Sequence, residues 1–215
     1  MKLLIAGLPN SGKTFLLKTL TNTLVIANDG KNYPFKQPHV NIGAVNTAEE
    51  FIEILNDSIG KYEERFGELP QTVVLDSISK TLLDIEAHYL RTVNSFPYGP
   101  IGKDISAAMH FIQNEIIPEG IDVIFISHAF RDDQDISLVN AGGSWGKKGG
   151  VIGEVDESIY VETKGKKRVV TLKNHKLARS LVYQGEDSVN MDDFNLQAHV
   201  DLLRANENTA NEWTL

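Results

Sequence analysis

The stretch "KLLIAGLPNSGKTFLLK", residues 2 to 18, constrains this chain more than any other. A short apolar run breaks into GxxxxGK[ST], met in full by Gly7, Gly12, Lys13 and Thr14, and helix-forming spacing follows at once. The glycines let backbone N–H groups curl around an anion, and a helix N-terminus adds its partial positive charge. In this pattern Lys13 reaches the β- and γ-phosphates and the Thr14 hydroxyl takes a place on Mg²⁺, while Pro9, Asn10, Ser11 and Phe15 complete the nucleotide-binding loop. Such a loop works at the C-terminal end of a buried strand. Residues 2–6 are therefore expected inside a mainly parallel sheet.

The rest of the chain agrees with an α/β fold. "TLVIAN" (23–28), "TVVLDS" (72–77) and "IDVIFISH" (121–128) read as further buried strands. Between them lie helical patterns after residue 13, from a capping box at "TAEE" (47–50) to about Phe66, in "SKTLLDIEAHYLRTV", and from about Lys103 to Ile117. "KNYPFKQPH" and "NSFPYGPIG" read as loops. "ESIYVETKGKKRVVTLKN" alternates and turns at "KGKK", an antiparallel hairpin. Strands alternating with helices give a parallel sheet flanked by helices. Residues 1–185 are expected as one nucleotide-binding domain, and 186–215 as an acidic tail with one helix in "DFNLQAHVDLLRA". The chain has no cysteine, and no apolar run approaches the ~18 residues that a membrane helix needs, so a cytoplasmic protein is expected.

A phosphate loop needs a second oxygen ligand for Mg²⁺ from the end of another buried strand. Asp76 in "VVLDS" supplies it, although an Asp there could also only cap the following helix. Ser77 stands where many motor ATPases carry Glu, so the water-activating group must come from elsewhere or be absent. Asp29, just past the second strand, reads equally as that base and as a plain turn residue before Gly30. The histidines at 39, 88, 110, 175 and 199 show no metal-ligand spacing, and no zinc site is expected.

Charge is unevenly spread. The net charge is −8, yet nine of the 21 Lys and Arg residues fall between Lys147 and Arg179, beside four acids. After Gly185 seven acids face the single base Arg204. A protein of this balance meets a polyanion only through a local basic surface. "NAGGSWGKKGG" combines glycines, a ring and two cations. Trp145, Lys147 and Lys148 are thus candidates for single-stranded DNA binding, against the reading of a solvated loop whose Trp folds back.

Taken together, "TVVLDSIS", the Gly-rich loop before "GEVDESIYV" and the basic "RVVTLKNHKLARS" resemble the RecA-like P-loop NTPases. Closer than bacterial RecA itself is the likeness to phage-encoded, single-domain RecA-like ATPases, the phage nucleotide-binding proteins, some of which act in single-strand annealing. It spans about residues 2 to 185. The resemblance implies ATP with Mg²⁺, action on single-stranded DNA in recombination, annealing or replication, and a ring or filament of identical subunits. Single-strand-binding or other recombination proteins would be further partners. It implies a polar sensor of the γ-phosphate at Ser127 and His128, and Lys176 and Arg179 reaching a neighbouring subunit's γ-phosphate. The family carries an Asp/Glu pair after the second strand where this chain has Asn28 and Asp29, which implies slow hydrolysis.

Two rivals stand beside the DNA-handling ATPase. A nucleotide-dependent assembly switch with little turnover fits the incomplete carboxylate pair. A small nucleotide kinase fits the length, but six arginines with only Arg131 in the lid position are few for gripping two phosphate groups.

Overall fold

In a computed structural model, residues 1–30, 33–132, 135–180 and 182–211 are described, with the side chains of 208–211 set aside. Among them a nine-stranded sheet runs in the order β3-β2-β4-β5-β1-β7-β8-β9, with β6 paired to β5. The strands are β1 (Lys2–Gly7), β2 (Thr23–Ala27), β3 (His39–Asn41), β4 (Thr72–Asp76), β5 (Asp122–Asp132), β6 (Asp135–Leu138), β7 (Glu157–Lys164), β8 (Lys167–Thr171) and β9 (Ser188–Asn190). From β3 to β7 along that order every pairing is parallel. The β7–β8, β8–β9 and β5–β6 pairings are antiparallel. The expected α/β sheet with its C-terminal hairpin is what forms.

Burial on both faces explains the unbroken apolar strands. Alternate residues point to opposite sides. Leu4, Leu24, Val73 and Phe125 enter a core under α2 (Ala48–Phe66), α3 (Ile78–Thr92), α4 (Tyr98–Phe111) and α5 (Gly143–Lys147). Leu3, Val25, Val74 and Ile124 enter a second core under α1 (Lys13–Leu16) and α6 (Leu196–Asn211). The capping box opens α2 as expected: Thr47 Oγ1 accepts from the Glu50 N–H at 3.2 Å. Glu50 reaches back to the Asn46 N–H at 2.7 Å, one residue before the cap.

Several elements depart from expectation. The helix after the phosphate loop is one α-turn followed by a 3₁₀ turn at Leu17–Thr19. α4 starts at Tyr98, inside the stretch read as a loop, because Pro100 in its first turn loses an N–H that needs no intrahelical partner. β5 continues past His128 to Asp132 and turns back into β6. In the stretch expected as a tail the expected helix forms at Leu196–Asn211, but residues 188–190 add an edge strand, and Leu196, Val200 and Leu203 are buried in the second core.

Candidate nucleotide site

The C-terminal ends of β1, β2, β4 and β5 meet at one edge of the sheet, where ligands collect in open α/β folds. Gly7 ends β1 so close to β7 that a Cβ would lie 2.4 Å from the Val161 carbonyl oxygen. Asn10 and Gly12 both take positive φ, 62° and 102°, which curls the loop before α1. Pro9 lines the cleft, Ser11 is buried, and the Lys18 ammonium covers the Phe15 ring at 3.8 Å. Lys13 is buried and folds back over the loop, donating to the Gly7 and Leu8 carbonyl oxygens at 2.8 and 2.9 Å. Its Nζ also lies 3.4 Å from His128 Nδ1.

Asp76 closes β4 at 1% exposure. Two hydroxyls converge on its Oδ2: Thr14 Oγ1 donates at 3.1 Å and Tyr33 Oη at 2.9 Å. Burial, followed by the Asp76 charge and hydrogen bond, drives the Tyr33 phenol far above its ordinary pKa, so it stays a donor. Thr14 and Asp76 thus set a hydroxyl beside a carboxylate, the hard oxygen donors that Mg²⁺ takes. Among the described residues no cluster of three or more His, Asp or Glu could cage a metal alone. The pair suits an ion that fills its remaining positions with phosphate and water.

Asn28 binds its neighbours at this edge three ways. Its N–H donates to the Asp76 carbonyl oxygen (3.0 Å), its Oδ1 accepts from the Ser77 N–H (3.1 Å), and its Nδ2 donates to Thr81 Oγ1 (2.8 Å). Asp29 follows it and lines a cavity of about 450 Å³ with Ser77, Ser79 and His128. Ser79 joins the two sensor candidates to α3. Its Oγ lies 2.9 Å from Ser127 Oγ and accepts from the His128 N–H at 2.7 Å. A neighbouring cavity of about 340 Å³ holds Lys13, Thr14, Phe15, Asp76 and His128, together with Arg168.

The other expected residues lie apart from this cluster. Trp145 is 8% exposed and sits in the core under α5, so no ring face is offered to a base. The glycines around it are explained by packing: a Cβ on Gly146 would meet the Ala141 carbonyl oxygen at 2.3 Å, and one on Gly142 would meet Glu86 Oε1 at 2.6 Å. Lys147 and Lys148 are exposed. Lys176 pairs with Asp135, and the Arg179 guanidinium donates to the Val155 and Asp156 carbonyl oxygens near the start of β7. Neither lines the cavities at the phosphate loop.

Tyr33, Ser79, Arg168 and Met191 line or brace the site without having been singled out from the sequence. Each comes from a loop, a helix turn or a distant hairpin with no motif spacing. Only Arg168 left a trace, as one of the clustered bases.

Among the described residues no helix is long and apolar enough to cross a membrane. Comparison with curated proteins gives no match. A family model described as AAA domain matches residues 1–180, which run from β1 through β8 and include every loop of the cleft. The phosphate loop on β1, with Asp76 facing it from β4, is therefore the candidate nucleotide site of a P-loop ATPase domain, and the chain belongs to the AAA domain family.

Proposed function

We propose that this protein is a Mg²⁺-dependent ATPase that acts on single-stranded DNA, in recombination, annealing or replication of the phage type, and works as an assembly of identical subunits. The observation that carries the enzyme reading is the convergence of Lys13, the Thr14–Asp76 pair, Asp29 and His128 on one sheet edge. Lys13 would leave the Gly7 and Leu8 carbonyls to grip the β- and γ-phosphates. Thr14 and Asp76 would hold Mg²⁺, which neutralises charge developing on the phosphates. His128 faces both cavities and would sense the terminal phosphate. Asp29, beside it, would orient the attacking water. Since Lys176 and Arg179 lie away from their own chain's loop, a role in trans on a neighbour's phosphate is the geometry open to them. The DNA reading is supported by the exposed Lys147 and Lys148 on a chain that is otherwise acidic.

A second reading, an assembly switch with little turnover, is favoured by Asn28. Its amide is spent on structure, so Asp29 is the one carboxylate just past β2. Steady-state ATP hydrolysis with and without single-stranded DNA, beside Lys13→Ala, decides between them. Turnover raised by DNA and lost in the variant is expected. A flat, near-zero rate in both conditions favours the switch and overturns the enzyme reading.

A further inference from the structure

One hairpin brings a cation over the phosphate loop that no motif announces. β7 lies directly beside β1, with Val161 opposite Gly7, so the far half of β7 overhangs the point where the loop begins. The β7–β8 turn, with Gly165 at φ 63°, returns the chain so that Arg168 stands opposite Thr163. Beneath it lies Gly12. A Cβ at Gly12 would come 3.1 Å from Arg168 Cδ and 2.8 Å from Met191 Cε. The missing side chain therefore lets the Arg168 stem and Met191 lie against the loop, and Arg168 shares the 340 Å³ cavity with Lys13, Thr14 and Asp76.

The other bases near this hairpin have partners or point elsewhere. Lys164 pairs with Glu162, Lys173 with Asp187 and Lys176 with Asp135. Lys166 and Lys167 are exposed and do not line the cavity. Arg168 lines it, and among the described residues no ion pair engages its guanidinium. That group is a planar fork of donors matched to phosphate oxygens, weakly hydrated and always charged, whereas Lys13 offers a point charge.

We propose that Arg168 binds the polyphosphate of the nucleotide in cis, alongside Lys13 of the same subunit. The proposal rests on the nucleotide-binding reading of the cleft. It is independent of Lys176 and Arg179: each subunit carries its own second cation, and its grip depends on the phosphates rather than on the base. Because Arg168 is exposed, removing its head is expected to leave the fold intact.

The test is calorimetric titration of Mg²⁺ with ATP, and of inorganic triphosphate as a base-free probe, onto the wild type, Arg168→Ala, Arg168→Lys and Lys13→Ala. Thermal melting by circular dichroism serves as the check on folding. With melting unchanged, Arg168→Ala is expected to weaken both ligands by about tenfold or more, the size of one charge-assisted bond, and Arg168→Lys to recover part of the loss. ATP affinity within twofold of wild type in Arg168→Ala overturns the proposal. So does a loss for ATP with none for triphosphate, which marks a base or ribose contact. Recovery of ATP binding when the Lys13→Ala protein is mixed with Arg168→Ala would move the arginine to a neighbour's site and overturn the cis assignment. Failure of the wild type to bind ATP at all would instead sink the nucleotide reading itself, and the proposal with it.

Discussion

At the scale of single residues, position 28 shows what sequence comparison and structure each contribute. Against the Asp/Glu pair of the RecA-like ATPases that the sequence resembles, Asn28 reads as a loss. In the fold it is a clamp: it holds the peptide that joins Asp76 to Ser77, and it fastens β2 to α3 through Thr81. A carboxylate there would be buried beside the buried Asp76, at heavy desolvation cost. Asn28→Ala leaves the Ser77 N–H and the Thr81 hydroxyl short of a buried partner, at about 1–3 kcal/mol each. We expect a lower melting temperature and a Mg²⁺-dependent ATP affinity weakened about tenfold, with the affinity measured in EDTA unchanged. Equal losses with and without Mg²⁺ would show that Asn28 supports the domain generally and does not position Asp76.

At the scale of elements, glycine carries opposite meanings in two places. Gly60 sits within α2 with nothing within 4 Å of a built Cβ, so Gly60→Ala gains helix propensity and is expected to stabilise by about 0.5–1 kcal/mol. Gly146 in α5 has a backbone carbonyl where its Cβ would go, so Gly146→Ala must shift the chain and is expected to cost about 1–3 kcal/mol. Urea midpoints of the two variants, moving in opposite directions, check both. The same contrast explains why "NAGGSWGKKGG" misleads as text. Its composition suggests a mobile strand-binding loop, but Gly142, Gly146 and Gly150 are there because other atoms come too near, and Trp145 fills the core. Composition records the absence of a side chain without saying whether solvent or a neighbour fills the space.

At the scale of the whole molecule, the C-terminal segment ties the second core to the phosphate site. Met191 packs on Gly12, and α6 brings His199 into the core at 4% exposure, between the rings of Tyr183 and Phe194. Its Nε2 has no hydrogen-bond partner among the described residues. Burial pushes its pKa down to about 4, below the ordinary 6.5. Between those values the unfolded chain holds a proton that the folded one refuses, so stability falls as pH drops through that window. The loss reaches about 3 kcal/mol by pH 4, since each tenfold rise in proton concentration across the window costs roughly 1.4 kcal/mol. Urea unfolding at pH 7.5 and 5 should show the first part of this decline, and His199→Phe should flatten it. An unchanged slope in the variant would assign the acid sensitivity elsewhere.

Local signals were enough for the phosphate loop, the buried strands, the capping box of α2 and the β7–β8 hairpin. Each is a short-range pattern: a strand and its turn, an i to i+3 cap, or a two-residue alternation carries its own cause within a few neighbours. The place of Asp76 at the end of a buried strand was legible for the same reason, since the four positions before it already declare that strand. Tyr33 on Asp76, Ser79 joining Ser127 to His128, Arg168 over Gly12, and the second core beneath α6 were decided only by folding. Tyr33 and Asp76 are 43 positions apart, and Gly12 and Arg168 are 156, so the distance between such partners depends on how the sheet is ordered rather than on any spacing along the chain.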